Sequence, residues 1–431
     1  MAKRKKQTSY LTLEYQQFAE RLGVFTLLSE GGEIMDLWKK GLSVFLLFGF
    51  GLALSQAGPL NPQGKGKSTG PVFEESDLFL AGKGGYFCYR IPALAVSTKG
   101  TILAFCEARK NNCWDNAGIN IVLRRSFDNG KTWQEMQVIA ESGVDTINNP
   151  ATVVDRETGA IWLTFCKNNQ QVFATQSKDD GVTWSKPVEI TQQVKDPAWH
   201  YVFTGPGHGI QLKSGRLLIP AVGDTTPGPV TWRPLPNWGK VQFSYCFYSD
   251  DHGASWKLGD ALDSNTSDEC EVVETADGRV YMNMRSRPTY TSPQRKHMRA
   301  YAWSKDGGVS WSKVKYDARL PEPSCQGSVI GFTDQDRFGK DRVLLANPAS
   351  ATTRMKLTVR VSYDECQTWP VSKVVHEGSS GYSDLAIAPD KTILCLYEEY
   401  RTDTAVEYDV GARLILARFN LAWLTNGTDH P

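Results

Sequence analysis

Ser126-Phe127-Asp128-Asn129-Gly130-Lys131-Thr132-Trp133 decides the fold, because the chain writes the same octet four more times. Residues 177–184, 249–256 and 304–311 fit S-x-D-x-G-x-[TS]-W, and 362–369 fits it with Cys366 in place of the glycine. The residue types are those of a tight hairpin turn. The Asp side chain accepts backbone N–H groups, the Gly takes a φ > 0 conformation, and the Trp is expected to pack against its own sheet. Each copy therefore marks one β-unit. A side chain at φ > 0 is disfavoured by about 1–2 kcal/mol, so the turn at Cys366 is expected to be distorted.

Successive copies begin roughly 50 to 70 residues apart, a period that indicates a propeller or array whose units cannot bury their faces singly. From about Val72 to about Trp423 the chain consists of short alternating or apolar runs, such as 102–105, 160–165, 216–221, 280–284 and 392–397, separated by turn signals. Helical periodicity is scarce. Dividing some 350 residues by about 58 gives six units, and blades of four strands use that length. The expected fold class is all-β, a six-bladed β-propeller over 72–425 with a short tail at 426–431. On this reading the aspartates and tryptophans of the octets are scaffold, and function lies elsewhere.

Lys and Arg number 48 against 47 Asp and Glu, a formal charge of +1. No global field then argues for nucleic acid or an anionic membrane surface, and a charged ligand must be met locally. The nine cysteines are scattered through strand-like runs, with no C-x-x-C, and resemble neither a disulfide framework nor a zinc site. Buried thiols are expected, at least one of them free unless it pairs between chains. The six histidines include no H-E-x-x-H, so neither metal nor cofactor is implied.

Residues 1–57 read as an N-terminal extension and signal peptide. The apolar run 42–54 follows Lys39 and Lys40, and its length of about thirteen falls short of the roughly 20 needed to span a bilayer comfortably. Ser55-Gln56-Ala57 supplies small residues for cleavage after Ala57. A secreted or periplasmic protein without a stable membrane span is expected, with an uncleaved anchor as the alternative and Met35 as a more usual start. Residues 58–71, rich in Gly, Pro, Lys and Ser, read as a flexible linker. Within it Gly66-Lys67-Ser68 lacks the first glycine of a phosphate loop, since Asn61 stands there.

Tyr89-Arg90-Ile91-Pro92 opens the first unit, and with the repeated octets it resembles the exo-α-sialidases, or neuraminidases, of the bacterial and animal type. In that family the octets are known as Asp boxes. The resemblance covers essentially the whole chain after the linker. It implies a six-bladed propeller that removes terminal sialic acid from glycoproteins, glycolipids and oligosaccharides, with retention and without a cofactor. It assigns the three carboxylate-gripping arginines to Arg90, Arg285 and Arg354, with Arg287 as a rival for Arg285. Guanidinium suits the task, since its planar fork binds a carboxylate bidentately and stays charged. Arg109 resembles the family's further sugar-contacting arginine. Asp115 stands at the acid/base position, where the adjacent Trp114 is expected to raise its pKa.

Tyr382 and Glu269 resemble the nucleophile and its base. Sialic acid carries a carboxylate on its anomeric carbon, so an anionic attacker is repelled where a phenol is not, and sialidases are the recognised tyrosine exception among retaining glycosidases. Glu271 is the alternative base, because strand alternation puts it on the same face. Glu398 resembles the glutamate that orients Arg90. The stretch 204–209 also matches the family, with His208 not assigned to catalysis, while Trp199, Tyr201, Trp232 and Trp238 are candidates for the pocket wall. Two rival readings remain: trans-sialylation, with a sugar hydroxyl in place of water, and a non-catalytic sialoglycan-binding propeller.

Overall fold

Alternation of apolar residues with turn signals yields antiparallel sheets in succession along the chain. A computed structural model describes residues 70–225, 242–263, 266–286, 297–400 and 413–431. The expected signal segment, most of the linker, Trp232, Trp238 and Arg287 lie outside the described residues.

The first sheet is a meander of Cys88–Val96, Ile102–Arg109, Ile119–Ser126 and Gln137–Ala140. Ile147–Val154, Ile161–Lys167, Gln171–Ser177 and Val188–Glu189 build the second, to which Gly207–His208 adds in parallel beside Ile147–Val154. Tyr201–Thr204 pairs with Leu217–Asp224, which continues through Gln242–Ser249 to Lys257–Leu258. A fourth sheet runs Cys270–Glu274, Val280–Met284, Met298–Ser304 and Lys315–Pro321. The last has seven strands, from Ser328–Thr333 through Arg342–Pro348, Met355–Ser362, the 17-residue Val371–Ile387, Ile393–Glu399 and Arg413–Phe419 to Phe73–Phe79. The protein is all-β. The described helices are single turns, Thr191–Val194, Gln335–Phe338 and Leu421–Leu424, and none is long and apolar enough to cross a membrane.

The core lies between consecutive sheets. Leu103, Phe105 and Leu123 of the first pack with Ile161, Leu163 and Phe165 of the second, and similar clusters join the others. Central strands such as Ile102–Arg109 are consequently buried along their whole length, because both faces meet another sheet.

The octets stitch these layers together. In the first, Asp128 Oδ1 accepts from the backbone N–H of Lys131 and Thr132 at 3.0 and 2.9 Å, and Ser126 Oγ accepts from Gly130 N–H at 2.9 Å. The tryptophans need a partial correction: Trp256 packs edge-on against Phe247 of its own sheet at 5.4 Å as expected, but contacts reach further. Rather than packing on its own sheet alone, Trp184 meets Phe105 of the preceding sheet edge-on at 5.6 Å, and Trp256 meets Trp162 of the preceding sheet at 5.9 Å. The fifth octet is a second correction, since its turn is not distorted. Cys366 holds φ 62°, its N–H donates to Ser362 Oγ at 2.9 Å, and Thr368 N–H donates to Asp364 Oδ1 at 2.8 Å, as in the other copies. Cys366 is buried with Val273, Tyr281 and Leu345, and that apolar contact offsets the left-handed backbone.

The cysteines need a third correction. Seven are free and buried as expected, but Cys88 and Cys113 form a disulfide across 25 residues.

Candidate active site

Arg-Ile-Pro has a physical reading of its own. Ile91 takes φ 59°, rare for a β-branched residue, and the ladder to Ile102–Arg109 breaks between Arg90 and Ala93. The bulge turns the Ile91 N–H away from the neighbouring strand and onto Glu398 Oε1 at 2.9 Å, and Pro92 has no N–H to lose. Glu398, fully buried in Ile393–Glu399, also takes Arg90 through two nitrogens, Nε to Oε1 at 3.1 Å and Nη2 to Oε2 at 3.2 Å. The Arg90 fork is thereby fixed in plane by Glu398.

The other groups sit at matching strand ends, which antiparallel meanders bring to one edge. Arg109 ends Ile102–Arg109 and pairs with Glu107 at 2.6 Å and Asp115 at 2.8 Å. Asp115 lies in the following loop and pairs also with Arg90 at 3.2 Å. Glu269 just precedes Cys270–Glu274, and Arg285 just follows Val280–Met284. The ladder continues between them, Arg285 N–H donating to Glu269 C=O at 2.8 Å. Arg285 Nη1 reaches Glu269 Oε2 at 2.7 Å and the Tyr382 hydroxyl at 3.1 Å. Arg354 precedes Met355–Ser362, donates to Ser324 C=O at 3.1 Å and lies with its guanidinium 5.3 Å from the Tyr382 ring centroid; Arg90 lies at 5.5 Å from the same ring. The Tyr382 hydroxyl donates to Glu269 Oε1 in a short hydrogen bond.

Arg90, Arg109, Asp115, Glu269, Arg285, Arg354 and Tyr382 thus line one pocket, joined by Glu107, Asn148, Asn149, Asn169, Tyr201, Phe203 and Gln242. Tyr201 is on the wall, whereas Trp199 packs edge-on against Phe243 and Tyr245. Tyr400, which no motif flagged, donates to Glu398 and accepts from Arg90 at 3.3 Å and Arg354 at 3.4 Å. Asn148 Oδ1, Asn169 Nδ2 and both polar atoms of the Gln242 side chain are buried without a hydrogen-bond partner among the described residues. Buried polar atoms of this kind are ordinarily satisfied by water or by a bound polar group.

The electrostatics correct one expectation. Burial pushes the Asp115 carboxyl up, but Arg109, Arg90 and Arg354 outweigh it and hold the group below the usual carboxylate range. Trp114 does not enclose it, being 56% exposed. Burial first, and the Glu269 charge second, push the Tyr382 phenol well above its ordinary value against the pull of Arg285 and Arg354. The resting phenol therefore keeps its proton.

Glu271 does not join this pocket. Its oxygens accept from Gln326 Nε2 at 3.1 Å and Val329 N–H at 2.9 Å, and it stands 3.5 Å from His208 Nδ1, which contacts Asp384 at 2.6 Å. Gly207 is required here, since a Cβ would lie 2.0 Å from Glu271 Oε1. His208, Glu271 and Asp384 are close enough to share a metal ion. Asp384, however, already accepts from Leu94 N–H at 2.6 Å, Leu385 N–H at 2.9 Å and Ser328 Oγ at 3.0 Å, so the cluster is a hydrogen-bonded network in which donors occupy the lone pairs a metal needs.

The family model for a BNR repeat-like domain matches residues 98–395. An exo-alpha-sialidase of Aspergillus fumigatus is 30% identical over 84% of this chain and 94% of its own length. The chain belongs to the sialidase family. Among its sialidase relatives, that of Micromonospora viridifaciens is 35% identical over 85% of this chain, and that of Bacteroides fragilis 32% identical over 74%. The matches span 56% and 61% of those two bacterial sialidases. The solved structure of the Hadza microbial sialidase Hz136 aligns with a TM-score of 0.69 at 28% identity, over 81% of this chain and 69% of that one. A leech intramolecular trans-sialidase aligns at 0.68 with 18% identity, a likeness of fold alone.

Proposed function

We propose that this chain is an exo-α-sialidase that hydrolyses terminal α-linked sialic acids from glycoproteins, glycolipids and oligosaccharides, with retention, through a tyrosyl intermediate, and that it acts as a secreted or periplasmic enzyme. The observation that carries the reading is a buried phenol hydrogen-bonded to a carboxylate and faced by three guanidiniums. The proposal includes a six-bladed propeller. Its support is the division of the seven-stranded sheet within Val371–Ile387, whose residues up to Ser379 pair with Met355–Ser362 and from Ser380 on with Ile393–Glu399. Among the described residues this division yields two four-stranded units, which with the other four sheets agree with six blades, and Phe73–Phe79 completes the last by pairing with Arg413–Phe419.

In the proposed reaction Arg90, Arg285 and Arg354 take the substrate carboxylate, three forks selecting an acid over a neutral sugar. Glu269 accepts the Tyr382 proton as the phenol oxygen attacks the anomeric carbon, and Asp115 protonates the departing glycosidic oxygen. In the second half Asp115 takes a proton from the attacking water, and Tyr382 departs, recovering its proton from Glu269. The substrate carboxylate neutralises guanidiniums that hold the Asp115 proton affinity down, so binding restores the acid. The unpartnered atoms of Asn148, Asn169 and Gln242 supply hydrogen bonds for sugar hydroxyl and amide groups.

The test is release of free sialic acid from linkage-defined sialyllactoses, run beside Tyr382→Phe. Release by the parent and a loss of at least about a hundredfold in kcat for the variant are expected. Undiminished turnover of Tyr382→Phe excludes the tyrosyl intermediate, and initial release of the β-anomer in NMR excludes retention.

A further inference from the structure

The proposed acid/base carboxylate rides on a loop whose ends are tied, Lys110 N–H donating to Gly118 C=O at 3.0 Å and Thr146 Oγ1 to Ala117 C=O at 2.8 Å, and whose middle is largely exposed. Between Lys110 and Gly118 every residue is exposed or half-buried except Cys113, which is 3% exposed. That one buried residue is the one crosslinked to Cys88, at the head of the strand that carries Arg90 two residues later. Its carbonyl also accepts from Arg109 Nη1, so Cys113 is fixed by its sulfur and its backbone two residues before Asp115. The carboxylate itself is held through ion pairs with Arg90 and Arg109. Under the proposed function Arg90 turns its charge to the substrate carboxylate, which weakens one of these holds when the acid is needed.

We propose that the Cys88–Cys113 bridge is a positioning pair for Asp115, and that its reduction selectively disables general-acid catalysis. The inference rests on the reading of Asp115 as the acid. A small dithiol such as dithiothreitol performs the switch: two electrons and two protons convert the S–S bond into two thiols, and the reagent leaves as its cyclic disulfide. The other seven cysteines are free thiols, already at the reduced level, so the Cys88–Cys113 bond is what the reagent reduces.

Leaving groups separate positioning from mere stability. A sugar alcohol must be protonated as it departs, whereas 4-nitrophenolate leaves as an anion, and kcat/KM reports the steps up to that departure. Cys88→Ala/Cys113→Ala is expected to lose on the order of tenfold to a hundredfold in kcat/KM on 3′-sialyllactose, the penalty for a misplaced catalytic group, and less than about threefold on 4-nitrophenyl sialoside. Parent protein reduced with dithiothreitol, its bridge shown open by mass spectrometry, provides the same comparison if the variant does not fold. Equal losses on the two substrates, or none on either, overturn the proposal. Asp115→Ala distinguishes the two readings. If it too falls equally on both substrates, the assignment of the acid fails; if it is leaving-group-selective while the bridge-free protein is not, the brace fails and the acid stands.

Discussion

Tyr400 sets the angle of two cations with one oxygen. Its hydroxyl donates to Glu398 and accepts from Arg90 and Arg354, so it links the two guanidiniums without lining the pocket. Tyr400→Phe keeps the ring and removes the link, leaving Glu398 with Arg90 and the N–H groups of Ile91 and Tyr382. Loss of hydrogen bonds to charged partners, about 1.5–3 kcal/mol, is expected to raise KM for a sialoside by roughly tenfold to a hundredfold, with kcat changed much less. An unchanged KM in steady-state kinetics would reduce Tyr400 to packing. This residue also shows where sequence reading stops. Arg90, Asp115, Glu269, Arg285, Arg354 and Tyr382 could be named from short stretches that resemble the family's, and the structure brings them around one pocket. Tyr400, Asn148, Asn169 and Gln242 carry no motif, and their part depends on strands far apart in the chain. Glu269 and Glu271 were ambiguous because alternation fixes the face of a strand and not the depth along it. One ends at the pocket, the other at His208.

Among the elements the octets were the most legible, since a repeated turn reveals its chemistry by recurrence. What they do between sheets was hidden, because no single octet names the surface it meets. The glycines make this measurable. Gly253 holds φ 86°, and a Cβ there would lie 2.3 Å from the Trp162 ring of the preceding sheet. Gly278 holds φ 79° in an ordinary hairpin turn, with nothing within 4 Å of such a Cβ. Gly278→Ala is expected to lose about 1–2 kcal/mol for the backbone alone. Gly253→Ala adds about 1–3 kcal/mol of overpacking. Denaturant unfolding of the two variants measures the difference, and equal losses would refute the interlocking role. Cys366 survives at the equivalent position because its side chain is taken into the apolar cluster there. The Cys88–Cys113 bridge was illegible for a related reason: scattered cysteines show no pairing until the fold brings one pair to a Cα separation of 5.8 Å.

At the scale of the molecule, His208, Glu271 and Asp384 tie together sheets that are distant in sequence, and the tie depends on protons. Burial lowers the His208 pKa, but the charges of Glu271 and Asp384 overcome it and raise it from 6.5 to about 9. A raised folded-state pKa means that the folded chain holds a proton the unfolded chain has released. The stability due to His208 is therefore complete below about pH 6.5 and is lost as pH rises toward about 9. Between about pH 6.5 and 8, before unfolded thiols ionise appreciably, each proton so held is worth about 1.4 kcal/mol per pH unit, or about 2 kcal/mol across the window. The melting temperature of the parent protein is expected to fall across that range, and His208→Gln, which cannot take up the proton, is expected to reduce the slope by about one proton. A parent melting temperature independent of pH would mean that the imidazole is neutral when folded. Its hydrogen bond to Asp384 would then be an uncharged donor on a carboxylate, and the tie would rest on packing and backbone donors alone.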